Sequence, residues 1–214
     1  MPYGNENSEL WTNGWTAVPR SFRKSLAGVD QEEQARLAVQ DVKLPDSDIA
    51  KKTYAFAKAQ LPEQTFNHSM RVVYYGYAIV STHFPHLKPL LETYYLTCLL
   101  HDLGTTTENL HGTHMSFEYY GSFQAMNFLR ENGATKDQAE AVGEAIIRHA
   151  DLGETGTLTS LGMLIQLSTV FGKLVFLFPL VGGVGYCTAR VLRTQACASN
   201  GLALNPGLHC TSAN

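Results

Sequence analysis

Apolar and polar positions follow a helical period over most of the chain. Ile49 to Gln60 reads as a helix that Pro62 ends, with a restart at Thr65 or Asn67. From Met70 to Phe84 the apolar residues fall at 70, 72, 73, 77, 79 and 80, and Pro85 stops the run. Leu87 to Leu103 is a strongly apolar helix with Gly104 as its C-terminal cap. Ser116 to Asn132 follows, closed by Gly133. Thr135 and Gln138 form a capping box for a helix from Lys136 to Ala150, on which Glu140, Glu144 and Arg148 stand one turn apart. Ser160 to Phe171 is a further apolar helix. No alternating strand pattern competes between 50 and 171, so the expected class is all-α. Residues 1–48 read as a mixed N-terminal arm. Trp11 and Trp15, four residues apart, are placed to staple that arm to the body. From 172 to 214 the pattern dissolves: there is no clear period, no capping logic and no acid, and an irregular tail is expected.

Composition sharpens that division. The 214 residues suit one compact domain plus extras. With 44% hydrophobic and 16% charged residues the chain is globular rather than disordered. A net charge of −3 argues against a nucleic-acid binder. Yet all 19 acidic residues lie in 1–154, giving that part a net −6, whereas 155–214 carries a net +3. The N-terminus is polar and acidic, with no signal-peptide pattern. Cys98 sits in an apolar helix as a free buried thiol, which fits a soluble, reducing, cytoplasmic setting. The run Leu174 to Ala189 is uncharged for sixteen residues. It is shorter than the ~20 a membrane span needs and holds Pro179, Gly182, Gly183 and Gly185, so a membrane helix is not expected. The apolar helices permit a homodimer without indicating one.

Candidate chemistry lies in three of the eight histidines: His68 in NHSMR, His101 beside Asp102 in LLHDLG, and His149 in IIRHAD. His101 and Asp102 end a nearly all-apolar run, where ionisable groups must be hydrogen-bonded, paired or metal-bound. A lone pair of this kind is ordinarily a satisfied core His–Asp pair. Three such histidines on three apolar helices shift the balance toward a metal site. Imidazole with carboxylate suits zinc, iron or manganese, and converging helices can pool such ligands on one ion. His83, His86, His111, His114 and His209 are less informative. The segment Thr105 to Met115 is long and polar enough to cover a pocket. Glu118, taken alone, is an acid matched to the dipole of a helix N-terminus.

The order His68, then His101–Asp102, resembles the HD-domain metal-hydrolase superfamily. Longer blocks resemble one branch of it, the fungal cyanamide hydratases: NGWTAVP at 13–19, NHSMRV at 67–72, TCLLHDLGT at 97–105, MSFEYYG at 115–121, DQAEAVGEAIIRH at 137–149 and LGMLIQLSTVF at 161–171. The resemblance covers about residues 13–171. It implies an HD-domain helical bundle over 49–171 that converts cyanamide, a small-molecule partner, to urea with a bound zinc. It implies His68, His101 and Asp102 as metal ligands, with His149 as an added ligand or a group facing the substrate. Glu118 takes the acidic position of the MSF block, and Asn67 is placed to orient His68.

The family's last ligand is an aspartate that aligns with position 172, where this chain has glycine and no acid follows. Aspartate codons begin with G, and an intron opening after that base with GTAAG reads GGT AAG, Gly-Lys; the chain reads Gly172-Lys173. The tail is therefore expected to be translated intron, the competing reading being a divergent C-terminus. The expectation is a cyanamide hydratase impaired by loss of one ligand. An HD-type phosphohydrolase acting on nucleotides is the alternative enzyme, although Thr105 to Asn109 offers no basic residue. A non-catalytic scaffold with structural histidines is the third reading.

Overall fold

The computed structural model describes residues 8–27, 29 and 39–177. Its helices are α1 (Glu9–Thr12), α2 (Phe22–Ser25), α3 (Asp48–Gln60), α4 (Glu63–Thr82), α5 (Leu91–Leu100), α6 (Thr107–Gly112), α7 (Phe117–Glu131), α8 (Lys136–Arg148) and α9 (Ser160–Leu177). The class is all-α, as expected: a helical bundle with one small antiparallel ribbon, in which β1 (Ala17–Pro19) pairs with β2 (Thr157–Thr159).

α5 forms the middle of the bundle. Every residue from Thr93 to Leu100 is buried. A helix apolar all round has no face to give to solvent, so it must be enclosed. α3, α4, α8 and α9 supply the enclosure, and α7 lies along α8. α4 and α5 approach closely at Gly76, where a Cβ would meet the Tyr94 ring. The missing side chain lets buried Tyr94 lie across α4 and donate its hydroxyl to the Val72 carbonyl at 2.6 Å.

The N-terminal arm is fastened to this bundle. Trp15 donates its indole N–H to the Asp137 carbonyl, Thr93 donates its hydroxyl to Asn13 Oδ1, and Ser160 donates its hydroxyl to the Gly14 carbonyl. Trp15 therefore acts as the expected staple; Trp11 lies in α1.

Several boundaries depart from the pattern-based expectation. α4 starts at Glu63, immediately after Pro62, because proline is compatible with a helix start and loses no needed N–H there. The run from Leu87 is divided: a 3-10 turn covers Pro85–Leu90, α5 stops at Leu100, and a second 3-10 turn covers Leu103–Thr105. His101, not Gly104, caps α5. Gly133, at φ 101°, does close the α7 region, and Thr135 caps α8 by accepting from the Gln138 N–H. The Thr105–Met115 segment contains α6 rather than being all loop. The three-residue strands are too short to show an alternating pattern.

α9 runs to Leu177, so the backbone of 172–177 is helical where an irregular tail was expected. Helix propagation costs little once a helix exists, the single Gly172 weakens the helix by only about 1 kcal/mol, and no proline occurs within 172–177. The rest of the expected irregular tail, 178–214, lies outside the described residues. Among the described residues no helix is long and apolar enough to cross a membrane.

Candidate metal centre

Three helices bring the sequence-selected histidines to one place. α4 carries His68 in its second turn, α5 ends with His101 as its cap, and α8 ends with His149 as its cap. Asp102 begins the 3-10 turn that follows His101. The ligand atoms of His68, His101 and Asp102 all lie within 4.8 Å of one another. The Nε2 atoms of His101 and His68 stand 3.2 and 3.7 Å from Asp102 Oδ2, and His149 Nε2 stands 3.8 Å from the other carboxylate oxygen. The His101 ring is 5.1 Å from that of His149 and 5.3 Å from that of His68, centre to centre.

Local backbone geometry orients two of these rings. His101 Nδ1 lies 2.7 Å from the Cys98 carbonyl, and His149 Nδ1 lies 2.7 Å from the Ile146 carbonyl. A carbonyl accepts only, so each Nδ1 carries a proton, and the Nε2 side of each ring faces Asp102. Both rings sit at helix C-termini, where unpaired carbonyls make the local potential negative and favour a cation.

Side-chain exposure is 1% for His101, 7% for His149, 16% for Asp102 and 24% for His68, so the centre opens to solvent on the His68 side. Burial, reinforced by neighbouring His101, pulls the His149 pKa down to about 4 against the opposing pull of the Ile146 carbonyl, Asp102 and Glu118. His149 is therefore neutral at neutral pH. Burial alone would raise the Asp102 carboxyl; the surrounding His101, His68 and His149 outweigh it and hold the carboxyl well below the usual carboxylate range.

Imidazole lone pairs gathered on a carboxylate need a shared proton or a metal ion between them. Two imidazole nitrogens and a carboxylate oxygen are donors suited to a divalent transition metal. The residues present thus fit one ion.

The other sequence candidates stand around this cluster. Glu118 is half-buried in the first turn of α7, within electrostatic reach of His149. Asn67 is half-buried on α4, about 100° around the helix from His68. His111 and His114 are exposed. Pattern reading missed Phe117, whose ring meets the His149 ring edge-on at 5.8 Å. Its place in the MSF block beside Glu118 was the available signal. It also missed the two carbonyls that set the histidine tautomers, which no side-chain pattern reveals.

Fold and centre together define an all-α protein with a candidate His/His/Asp metal site. No protein-family model matches the chain. It is 39% identical over 157 residues to cyanamide hydratase DDI2 of Saccharomyces cerevisiae, a match covering 73% of this chain and 68% of the relative. Cyanamide hydratase DDI3 of the same yeast matches to the same extent. The chain belongs to the cyanamide hydratase family.

Proposed function

We propose that this chain adds water to cyanamide to give urea, at one metal ion held by His68, His101 and Asp102 in an HD-type helical domain. The convergence of those three residues, in a chain of this family, carries the reading. Zinc is the preferred ion, with iron or manganese the alternatives; such an ion supplies Lewis acidity and water acidified toward neutrality.

The chain's own residues do the rest. His149 is neutral and protonated on Nδ1, so its Nε2 is free of a proton in the ground state and positioned to take one from water and return it to the nitrile nitrogen. Glu118 stabilises the imidazolium formed in that interval by its charge. Asn67 positions His68 from the adjoining step of α4. Phe117 covers one side of His149 and limits water there. Net addition of one water across the carbon–nitrogen triple bond gives isourea, and a proton shift gives urea.

The reading includes a division into an arm at 1–48, an HD domain at 49–171 and a tail at 172–214 that is translated intron. With Gly172 in place of the family's aspartate, the chain turns over slowly because one ligand is missing. Metal analysis and urea release on the purified chain test it, beside His68→Ala and a nucleoside monophosphate as competing substrate. Slow, metal-dependent urea release lost in His68→Ala supports the reading. Phosphate release instead, or an inactive chain with no bound metal, overturns it. Full occupancy with rapid turnover overturns the impairment, and a spliced transcript retaining codons 172–214 overturns the intron.

A further inference from the structure

His149 is the cap of α8, so its position depends on where the following residues go. That following run, 150–156, is irregular and contains Gly153 and Gly156. Local ties are few: the Asp151 N–H donates to the Arg148 carbonyl at 3.0 Å, the Leu152 N–H to the Ala150 carbonyl at 3.2 Å, and Arg148 Nη1 stands 3.7 Å from Asp151 Oδ2. Two remote elements add to them.

From α9, buried Gln166 donates through Nε2 to the Arg148 carbonyl at 2.6 Å and to the Asp151 carbonyl at 3.0 Å. From the arm, Arg20 Nη2 donates to the same Asp151 carbonyl at 2.7 Å and meets Asp151 Oδ1 at 2.6 Å. The backbone on both sides of His149 is thereby tied down. The Arg20 guanidinium also packs against the turn, since a Cβ on Gly153 would stand 2.6 Å from its Nε and 2.7 Å from its Cζ. Neighbouring arm contacts reinforce the grip. Ser21 donates its hydroxyl to Glu154 Oε2 at 2.6 Å, and the Arg20 N–H donates to the Gly156 carbonyl at 3.1 Å.

We infer that Arg20 is a positioning residue: through Asp151 it sets the end of α8 and so the place of the His149 imidazole, making the N-terminal arm part of the working site. A half-exposed ion pair does little for global stability, because solvent screens it and two side chains must be ordered. Its consequence here is local. The planar guanidinium can serve a carbonyl and a carboxylate together, which a lysine ammonium does less well. The inference rests on the proposed use of His149 in cyanamide hydration.

The test compares the full chain with Arg20→Met and Arg20→Lys. In the metal-free protein, Arg20→Met should shift the His149 imidazole NMR resonance and leave those of His68 and His101 in place. Amide exchange at Asp151 and Leu152 should rise about tenfold, the scale of losing one charge-assisted hydrogen bond. In zinc-loaded protein, kcat for urea release should fall about tenfold at unchanged KM and unchanged zinc content. Arg20→Lys should restore part of each effect, which loss of general stability would not predict. An Arg20→Met chain with wild-type His149 resonance and wild-type amide exchange overturns the inference. A parent chain that releases no urea, while His149 still moves in Arg20→Met, overturns the hydration reading and leaves the positioning role standing.

Discussion

Gly104→Ala tests how closely the bundle is built around Asp102. Gly104 lies in the 3-10 turn two residues after Asp102, and a Cβ there would stand 2.0 Å from the Phe117 carbonyl oxygen and 2.8 Å from its carbon. From the other side, a Cβ on Gly121 would stand 2.6 Å from the Gly104 nitrogen. Close carbon–oxygen contacts settle at about 3.3 Å, so α7 must withdraw by roughly 1.3 Å or the turn must shift as far. Neither neighbour is a side chain that can rotate aside. Overpacking of this kind costs about 1–3 kcal/mol, and the backbone contact puts this case at the upper end. Gly112→Ala is the control, because a Cβ there meets nothing within 4 Å and α6 is already helical. That substitution should be neutral or stabilise by up to about 1 kcal/mol. Urea denaturation of both variants measures the difference. Because Phe117 bears on His149, Gly104→Ala should also lower urea release relative to Gly112→Ala, a displacement near 1 Å being worth as much as ~100-fold in rate. A Gly104→Ala midpoint equal to that of Gly112→Ala would refute the claim that this helix crossing has no room.

Two further outcomes follow from the buried titratable groups. His149 is held at a pKa of about 4, below its ordinary value, so between that and about 6.5 the unfolded chain binds a proton the folded chain refuses. Stability of the metal-free protein is therefore complete above about pH 6.5 and lost as pH falls toward 4. The loss between pH 7 and 5 is about 2 kcal/mol, seen as a falling urea midpoint that His149→Gln should flatten; an equal fall in both proteins would exclude His149 as its source. Cys98 is fully buried, and burial pushes its thiol pKa upward. Iodoacetamide at pH 8 should leave Cys98 unmodified in native protein and alkylate it in urea, as read by peptide mass mapping. Rapid native labelling would mean that the α5 core opens readily.

Much of this architecture is legible in single-chain pattern. Helical periodicity located α3, α4, α7, α8 and the start of α9, because each buries one face or more and the repeat is local. Thr135 and Gly133 marked real helix ends, since their effects act within a few residues. Errors collected where local rules conflict. The mostly apolar run from Leu87 to Leu103 reads as one helix on hydrophobicity alone, whereas Pro89 lies in a 3-10 turn before it and α5 stops at Leu100, just before His101 and Asp102. The β1–β2 ribbon joins residues 142 apart, Ala17 with Thr159, and neither strand has a pattern of its own.

The candidate site divides in the same way. Residue type and spacing singled out His68, His101, Asp102 and His149, because ionisable groups in apolar helices are costly and rarely idle. Which of them share a centre was a matter of tertiary packing. α4, α5 and α8 had to meet before three imidazoles faced one carboxylate. Tertiary packing also assigned Phe117 to the wall of the site and brought Arg20, 131 residues away in sequence, to the carbonyl of Asp151. The chain's pattern specifies chemistry and periodicity because both are properties of near neighbours. Distances between groups far apart in sequence arise only when the helices pack, since packing alone decides which faces touch.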